Sequence, residues 1–284
     1  MSKKLGLACG GGGTWSIAIL GVLKAFEENN IKVDYIAGCS VGALIGAAYA
    51  SGFAGQDTIE RLEEILTKIK FRQAIHFNRH SSFGMLSPNK IGQQFEEKVG
   101  KFNFEDLKIK FAAVATDFRT GEQVVFDHGP LTPALIASTA FTLVFTPFEY
   151  QGKLLTDGGV SSPTPSDVVR RMGADVIIGI DCGSKKFFNR LDKKLAVTGR
   201  ISRLIPLLHF ALSRHLGTTF IQLIDLLFSN LNRQYLMNNP VDLLITPKVS
   251  HFDQFGFRFT KDFVKEGENA ALEALPEIRK LLKE

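Results

Sequence analysis

Residues 33–52 read "VDYIAGCSVGALIGAAYASG". The first six form a short apolar run of the kind a buried strand needs, and residues 41–52 are small, almost uncharged and long enough for a helix packed on all sides. Between them lies Gly38-Cys39-Ser40-Val41-Gly42, a G-x-S-x-G pentapeptide at a strand-to-helix junction. That context is the one a nucleophile elbow requires: the flanking Gly38 and Gly42 permit the tight turn that projects a serine hydroxyl. The pentapeptide alone is a weak signal because its residues are common. Cys39 reads as a small buried hydrophobe rather than a nucleophile.

One strand–helix unit earlier stands a second junction. Gly10-Gly11-Gly12-Gly13-Thr14-Trp15-Ser16 follows the apolar "LGLAC" and precedes an amphipathic stretch through residue 30. Ordering four glycines is entropically costly, so bare backbone must serve a purpose here. A phosphate loop would need Gly-Lys-Ser/Thr, and the dinucleotide fingerprint would need a third glycine where Ser16 stands. Main-chain N–H groups aimed at a developing oxyanion are the remaining use, and they require a nucleophile nearby. Both junctions fall at the carboxyl ends of strands, where α/β sheets bind their ligands.

The chain has 284 residues, of which 45% are hydrophobic and 22% charged, as expected of a globular protein with a large core. Three scattered cysteines, Cys9, Cys39 and Cys182, give no disulfide framework or zinc pattern and point to a reducing, cytoplasmic compartment. The N-terminal apolar stretch is too short for a secretory signal, and no apolar run reaches a membrane span. Strands are expected at 4–9, 33–38, 108–118, 122–129, 174–183 and 241–247. A hairpin is expected around Gln151-Gly152, an exposed amphipathic helix at 58–70, and a last helix from about Lys261. This alternation predicts one α/β domain over 1–284 whose sheet is covered on both faces.

An activated serine needs a base. Six histidines (76, 80, 128, 209, 215 and 251) lie in no distinctive motif. His251, just after the last expected strand, is the formal candidate for a Ser-His-Asp esterase or thioesterase. Thr156-Asp157-Gly158-Gly159 offers another answer, a carboxylate at a strand end in a glycine turn. In a dehydrated site such a carboxylate can take a hydroxyl proton directly; in an open one it is an Asx-turn residue.

Four stretches in this order carry a resemblance: "CGGGGTWSIAILGVLKAFEE", "IAGCSVGALIGAAYASG", "VATDFRTGEQVVF" and "GKLLTDGGVSSPTPSDVVRRMGADVIIGID". Over residues 5–182 the chain resembles the patatin-like phospholipases, acyl hydrolases that use a Ser-Asp dyad. The resemblance implies a three-layer α/β/α fold with a mainly parallel central sheet. It makes Ser40 the nucleophile, Asp157 the base held by the Gly158-Gly159 loop, and the amides of Gly11, Gly12 and Gly13 the oxyanion hole. No histidine, metal or cofactor is then required, and lipid or acyl-ester substrates, phospholipids or lysophospholipids, are expected. The chain departs from the family's G-G-G-x-R-G pattern, with Trp15 and Ser16 in the Arg and last Gly positions. Thr142 stands where a proline is common. These departures motivate a rival reading, a non-catalytic lipid-binding protein on the same fold; Trp15 either lines an acyl pocket or packs at a helix start.

The resemblance fades after Cys182. Residues 185–216 hold eight basic residues against one acid, Asp192, although the whole chain is only +5. Ile201, Leu204, Ile205, Leu208 and Leu212 fall at helical spacing among Arg200, Arg203 and Arg214, with Pro206 marking a kink or a helix start. The insert at 185–230 reads as a lid, as plain core, or as an amphipathic element in peripheral contact with an anionic membrane through 185–216. A nucleic-acid partner is not expected, because no recognised module is present.

Overall fold

The computed structural model describes residues 3–53, 57–68, 87–142, 144–183, 223–224, 226–252 and 259–283. Its described strands form one eight-stranded sheet: β1 (Leu5–Cys9), β2 (Tyr35–Cys39), β3 (Lys110–Asp117), β4 (Gln123–Phe126), β5 (Phe148–Tyr150), β6 (Lys153–Asp157), β7 (Val176–Ile180) and β8 (Leu243–Ile245). The sheet runs β5-β6-β3-β2-β1-β7-β8, and β4 also pairs with β3. Strands β3, β2, β1, β7 and β8 are parallel, while β4, β5 and β6 join antiparallel.

Helices cover both faces: α1 (Ala18–Glu28), α2 (Val41–Ser51), α3 (Thr58–Lys68), α4 (Asn89–Lys98), α5 (Leu131–Thr139), α6 (Ser166–Arg171), α7 (226–238) and α8 (Thr260–Lys283). The strand residues divide between two cores by the period-2 rule. Leu5, Leu7, Cys9, Ile36, Ala113, Ala115, Ile178 and Ile180 face the larger one with α1, α2, α5 and α8. Ala8, Ala37, Cys39, Ala112, Val114 and Ile177 face a smaller one closed by Val168 and Val169 of α6. The expected α/β/α layering with a mainly parallel sheet is therefore the observed architecture.

Helix α8 lies against α1 at backbone contact. A Cβ added to Gly267 would stand 1.8 Å from the Ala18 carbonyl, and one added to Gly21 would stand 1.8 Å from that of Val264. The hairpin turns where expected, with Gln151 at φ 51° and Gly152 at φ 74°, the paired left-handed residues of a two-residue β-hairpin. Helices α4, α5 and α6 were not anticipated, being short or, like α5, apolar on every side. The basic stretch 185–216 lies outside the described residues, as does most of the 185–230 insert.

Candidate active site

Every element of the site is delivered by strand ends. In β3, Ala113 and Val114 pair with both β2 and β4, whereas Ala115 and Thr116 pair with both β4 and β6. Strand β4 therefore holds one edge of β3, and β2 followed by β6 holds the other. Cys39 ends β2 opposite Val114, and Asp157 ends β6 opposite Ala115. The parallel and the antiparallel strand thus meet end to end, and the residue following Cys39 is Ser40.

Ser40 has φ 54° and ψ −134° at the start of α2. A non-glycine residue in that region carries strain on the order of 1–3 kcal/mol and persists only when its neighbours fix it. Its carbonyl accepts from the N–H groups of Ala43 (2.9 Å) and Leu44 (3.3 Å). Its own N–H donates to Ser138 of α5, at 3.0 Å from the hydroxyl and 3.2 Å from the carbonyl. The turn is feasible because a Cβ on Gly42 would stand 2.5 Å from the carbonyls of Cys9 and Gly10, so only glycine lets α2 start this close to β1.

Asp157 is buried, at 4% exposure. Burial pushes its carboxyl up to about 6, against the opposing pull of a hydrogen bond with the Ser40 side chain and one from the Gly159 N–H, which lies 2.8 Å from Oδ1. Its main-chain N–H donates to the Ala140 carbonyl (3.2 Å), and its carbonyl accepts from Thr116 Oγ1 (2.9 Å). Gly158 sits on Val114, where a Cβ would stand 2.1 Å from the Val114 carbonyl oxygen. A serine hydroxyl beside a buried carboxyl raised toward neutrality can deliver its proton to that carboxyl, and this is the chemistry of an activated alkoxide.

The glycine loop reaches the same place. A Cβ on Gly11 would stand 3.3 Å from Ser40 Cβ, so the loop passes beside the serine. Gly10 N–H donates to Ile180 (3.0 Å) and Gly11 N–H to Pro163 (3.1 Å), which fixes the loop between β7 and the chain following Asp157. Gly12 and Gly13 then turn with φ 152° and 60° into a 3-10 turn over Gly13–Ile17 that leads to α1.

The departures at positions 15, 16 and 142 have structural roles. Trp15 is 1% exposed within the larger core, and its indole N–H donates to Phe252 (3.3 Å). Of the two readings of this indole, packing at the helix start is the one observed. Ser16 Oγ donates back to the Gly10 carbonyl (3.2 Å), tying the loop shut. Thr142 hydrogen-bonds Thr156, the residue before Asp157, whose hydroxyl also reaches Ala140 (2.9 Å). Cys39 is fully buried with its thiol toward Pro163 (3.1 Å), and burial raises that thiol well above its ordinary value. His251 is exposed beside Phe252, and His128 pairs with Asp127 at the surface. The other four histidines lie outside the described residues.

A family model described as patatin-like phospholipase matches residues 7–170. The chain belongs to the patatin-like phospholipase family. An uncharacterized NTE family protein of Mycobacterium tuberculosis is 35% identical to this patatin-like chain over 179 residues, 63% of this chain and 49% of that protein. Patatin-like phospholipase domain-containing protein 6 of Mus musculus is 32% identical over 188 residues, 64% of this chain and 14% of its own length. Neuropathy target esterase sws of Drosophila melanogaster is 31% identical over 187 residues, 64% of this chain and 13% of its own length. The chain thus spans about half the length of the mycobacterial relative and a smaller part of the animal ones. Among solved structures, VipD from Legionella pneumophila shares the fold at a TM-score of 0.50 and 14% identity, covering 97% of this chain and 67% of that one.

Two features of this patatin-like site had no sequence signal. Ser138 sits in the apolar "LTPALIAST", where only the rule that a buried hydroxyl needs a partner marks it. Asp167 of α6 gathers Tyr235 of α7, Gln123 (3.1 Å) and Arg171 (2.6 Å), and Gln123 also reaches Ser162, five residues after Asp157. Through this network α7 is tied to α6, and Phe228 of α7 stands edge-on to Phe141 (5.8 Å) beside Gly159. Among the described residues no group of three or more His, Cys, Asp and Glu could hold a metal ion, and no helix is long and apolar enough to cross a membrane.

Proposed function

We propose that the protein hydrolyses carboxylic esters of lipids, phospholipids or lysophospholipids, through a Ser40–Asp157 dyad. The observation that carries this reading is the strand register that ends β2 and β6 side by side on β3, so that the strained Ser40 side chain acts on the buried Asp157 carboxyl, with no histidine among the described residues bonded to either. Ser40 Oγ attacks the ester carbonyl as its proton passes to Asp157, giving a tetrahedral oxyanion. Main-chain N–H groups of the glycine loop 11–13, which passes beside Ser40, are assigned to that charge, the Gly11 N–H itself being engaged by the Pro163 carbonyl. Collapse expels the alcohol, which takes the proton from Asp157 and leaves an acyl-Ser40. Water then attacks that ester as Asp157 accepts its proton, and the proton returns to Ser40 Oγ as the fatty acid departs. Family membership and the names of the esterase and phospholipase relatives support the lipid-ester class.

The three described free cysteines, all buried, fit a cytoplasmic setting. Peripheral contact with anionic membranes through 185–216 rests on the charge of that stretch in the sequence. Binding of the full chain to vesicles with and without anionic lipid tests it, and equal binding to both would end it.

The decisive experiment is covalent labelling with a fluorophosphonate, with detergent micelles present. Native protein should label, Ser40→Ala should not, Asp157→Ala should label far more slowly, and His251→Ala should label like native. Loss of labelling in His251→Ala would favour the Ser-His-Asp reading. A folded native chain that never labels would favour the non-catalytic one.

A further inference from the structure

We infer that Ser138 is a positioning residue, whose hydroxyl sets the main chain of the Ser40 nucleophile. The inference rests on the reading of Ser40 as nucleophile. On its carboxyl side the serine is held as any helix start would hold it, by the N–H groups of Ala43 and Leu44. On its amino side β2 has ended, and the Ser40 N–H turns to Ser138, which supplies both acceptors, Oγ at 3.0 Å and carbonyl oxygen at 3.2 Å. Ser138 is completely buried. A hydroxyl in such surroundings is unfavourable unless it is bonded, and Ser138 shares its acceptor with the one residue of the site in strained backbone. The neighbouring Thr139 shows the ordinary alternative, bonding back to Leu135 (2.8 Å) and Ile136 (3.2 Å) of its own helix.

The same turn of chain also holds the base. Two residues after Ser138, the Ala140 carbonyl accepts the Asp157 N–H (3.2 Å) and the Thr156 hydroxyl (2.9 Å). The C-terminal end of α5 is thus a frame with Ser40 on one member and Asp157 on the other. Removing the Ser138 hydroxyl leaves the carbonyl contact, and so the fold. It takes away the shorter of the two bonds that fix the Ser40 amide, and with it the aim of Oγ. A misaimed nucleophile loses rate rather than substrate affinity.

The test measures the second-order rate of fluorophosphonate labelling together with its end-point stoichiometry, on the full chain and on Ser138→Ala and Ser138→Cys. The hydroxyl's loss should slow Ser138→Ala about tenfold while leaving stoichiometry unchanged, and ester turnover should show a lower kcat at the native KM. Ser138→Cys, which keeps the volume and a weak acceptor, should fall between them. Native labelling rates in both variants would overturn the inference. So would a smaller labelled fraction with an unchanged rate per labelled molecule, the mark of a purely structural role. A native chain that does not label at all would remove the dyad reading itself, and this inference with it.

Discussion

Asp157 stands in line with Cys39 along one edge of β3, the first paired with Ala115 and the second with Val114. Strand β6 therefore runs head-on into the end of β2. Ser40, the next residue after Cys39, thus follows β2 at the point where β6 ends. The sheet register alone brings two distant parts of the sequence side by side, and the flanking contacts decide how firmly.

The pH dependence of acylation should follow Asp157. With its carboxyl at about 6, the proton-accepting form is lost as pH falls through that value. Labelling and ester hydrolysis should decline about tenfold per pH unit below it. Histidine titrates in the same range, so the profile is to be measured in His251→Ala as well. An acid limb that vanishes in that variant would assign it to the histidine.

Asp157→Asn should abolish turnover and yet stabilise the fold. A carboxyl at about 6 in the fold, against an ordinary value of 3.8, keeps a proton that the unfolded chain releases between those two pH values. Native stability therefore falls as pH rises from about 4 to about 6, by on the order of 3 kcal/mol in all. The amide carries no such penalty and still accepts from Gly159. Urea unfolding at pH 7.5 should show the variant more stable, and the gap should close near pH 4. A variant equally destabilised at both would contradict the raised carboxyl.

Gly158→Ala would place a Cβ 2.1 Å from the Val114 carbonyl oxygen and 3.0 Å from Cys39 Cβ. Both neighbours belong to the strands that align Ser40 with Asp157, so the strain moves one or the other. An ångström of displacement costs about 100-fold in rate, and overpacking costs about 1–3 kcal/mol in stability. Labelling kinetics and urea denaturation of one preparation would give both figures. Native values for both would show that the turn yields without moving Ser40 or Asp157.

Gly267→Ala tests the packing of α8. The new methyl would stand 1.8 Å from the Ala18 carbonyl, and no side-chain rotation relieves a contact made by two backbones. Unfolding in urea should come earlier by about 1–3 kcal/mol. An unchanged midpoint would mean that α8 shifts along α1 without cost.

The sequence by itself determined the layering and the chemical inventory. Continuous apolar runs separated by helical periods could only make a covered, mainly parallel sheet. The glycine loop, the G-x-S-x-G turn and the Asp-Gly-Gly turn announced themselves because glycine is required wherever backbone approaches backbone, as Gly42 does to Cys9 and Gly10. Local pattern also carried the hairpin at Gln151-Gly152. What it could not carry was pairing across the chain. That β6 joins β3 on the edge already occupied by β2, so that Asp157 meets Ser40, is a matter of register between strands far apart in sequence. That Trp15 fills the core rather than an acyl pocket follows from where Phe252 and α8 close over it. Ser138 was hidden for the same reason. Its partner is a main-chain N–H, and every residue but proline offers one, so no pattern of side chains could point to it; only the crossing of α5 under the elbow selects Ser40.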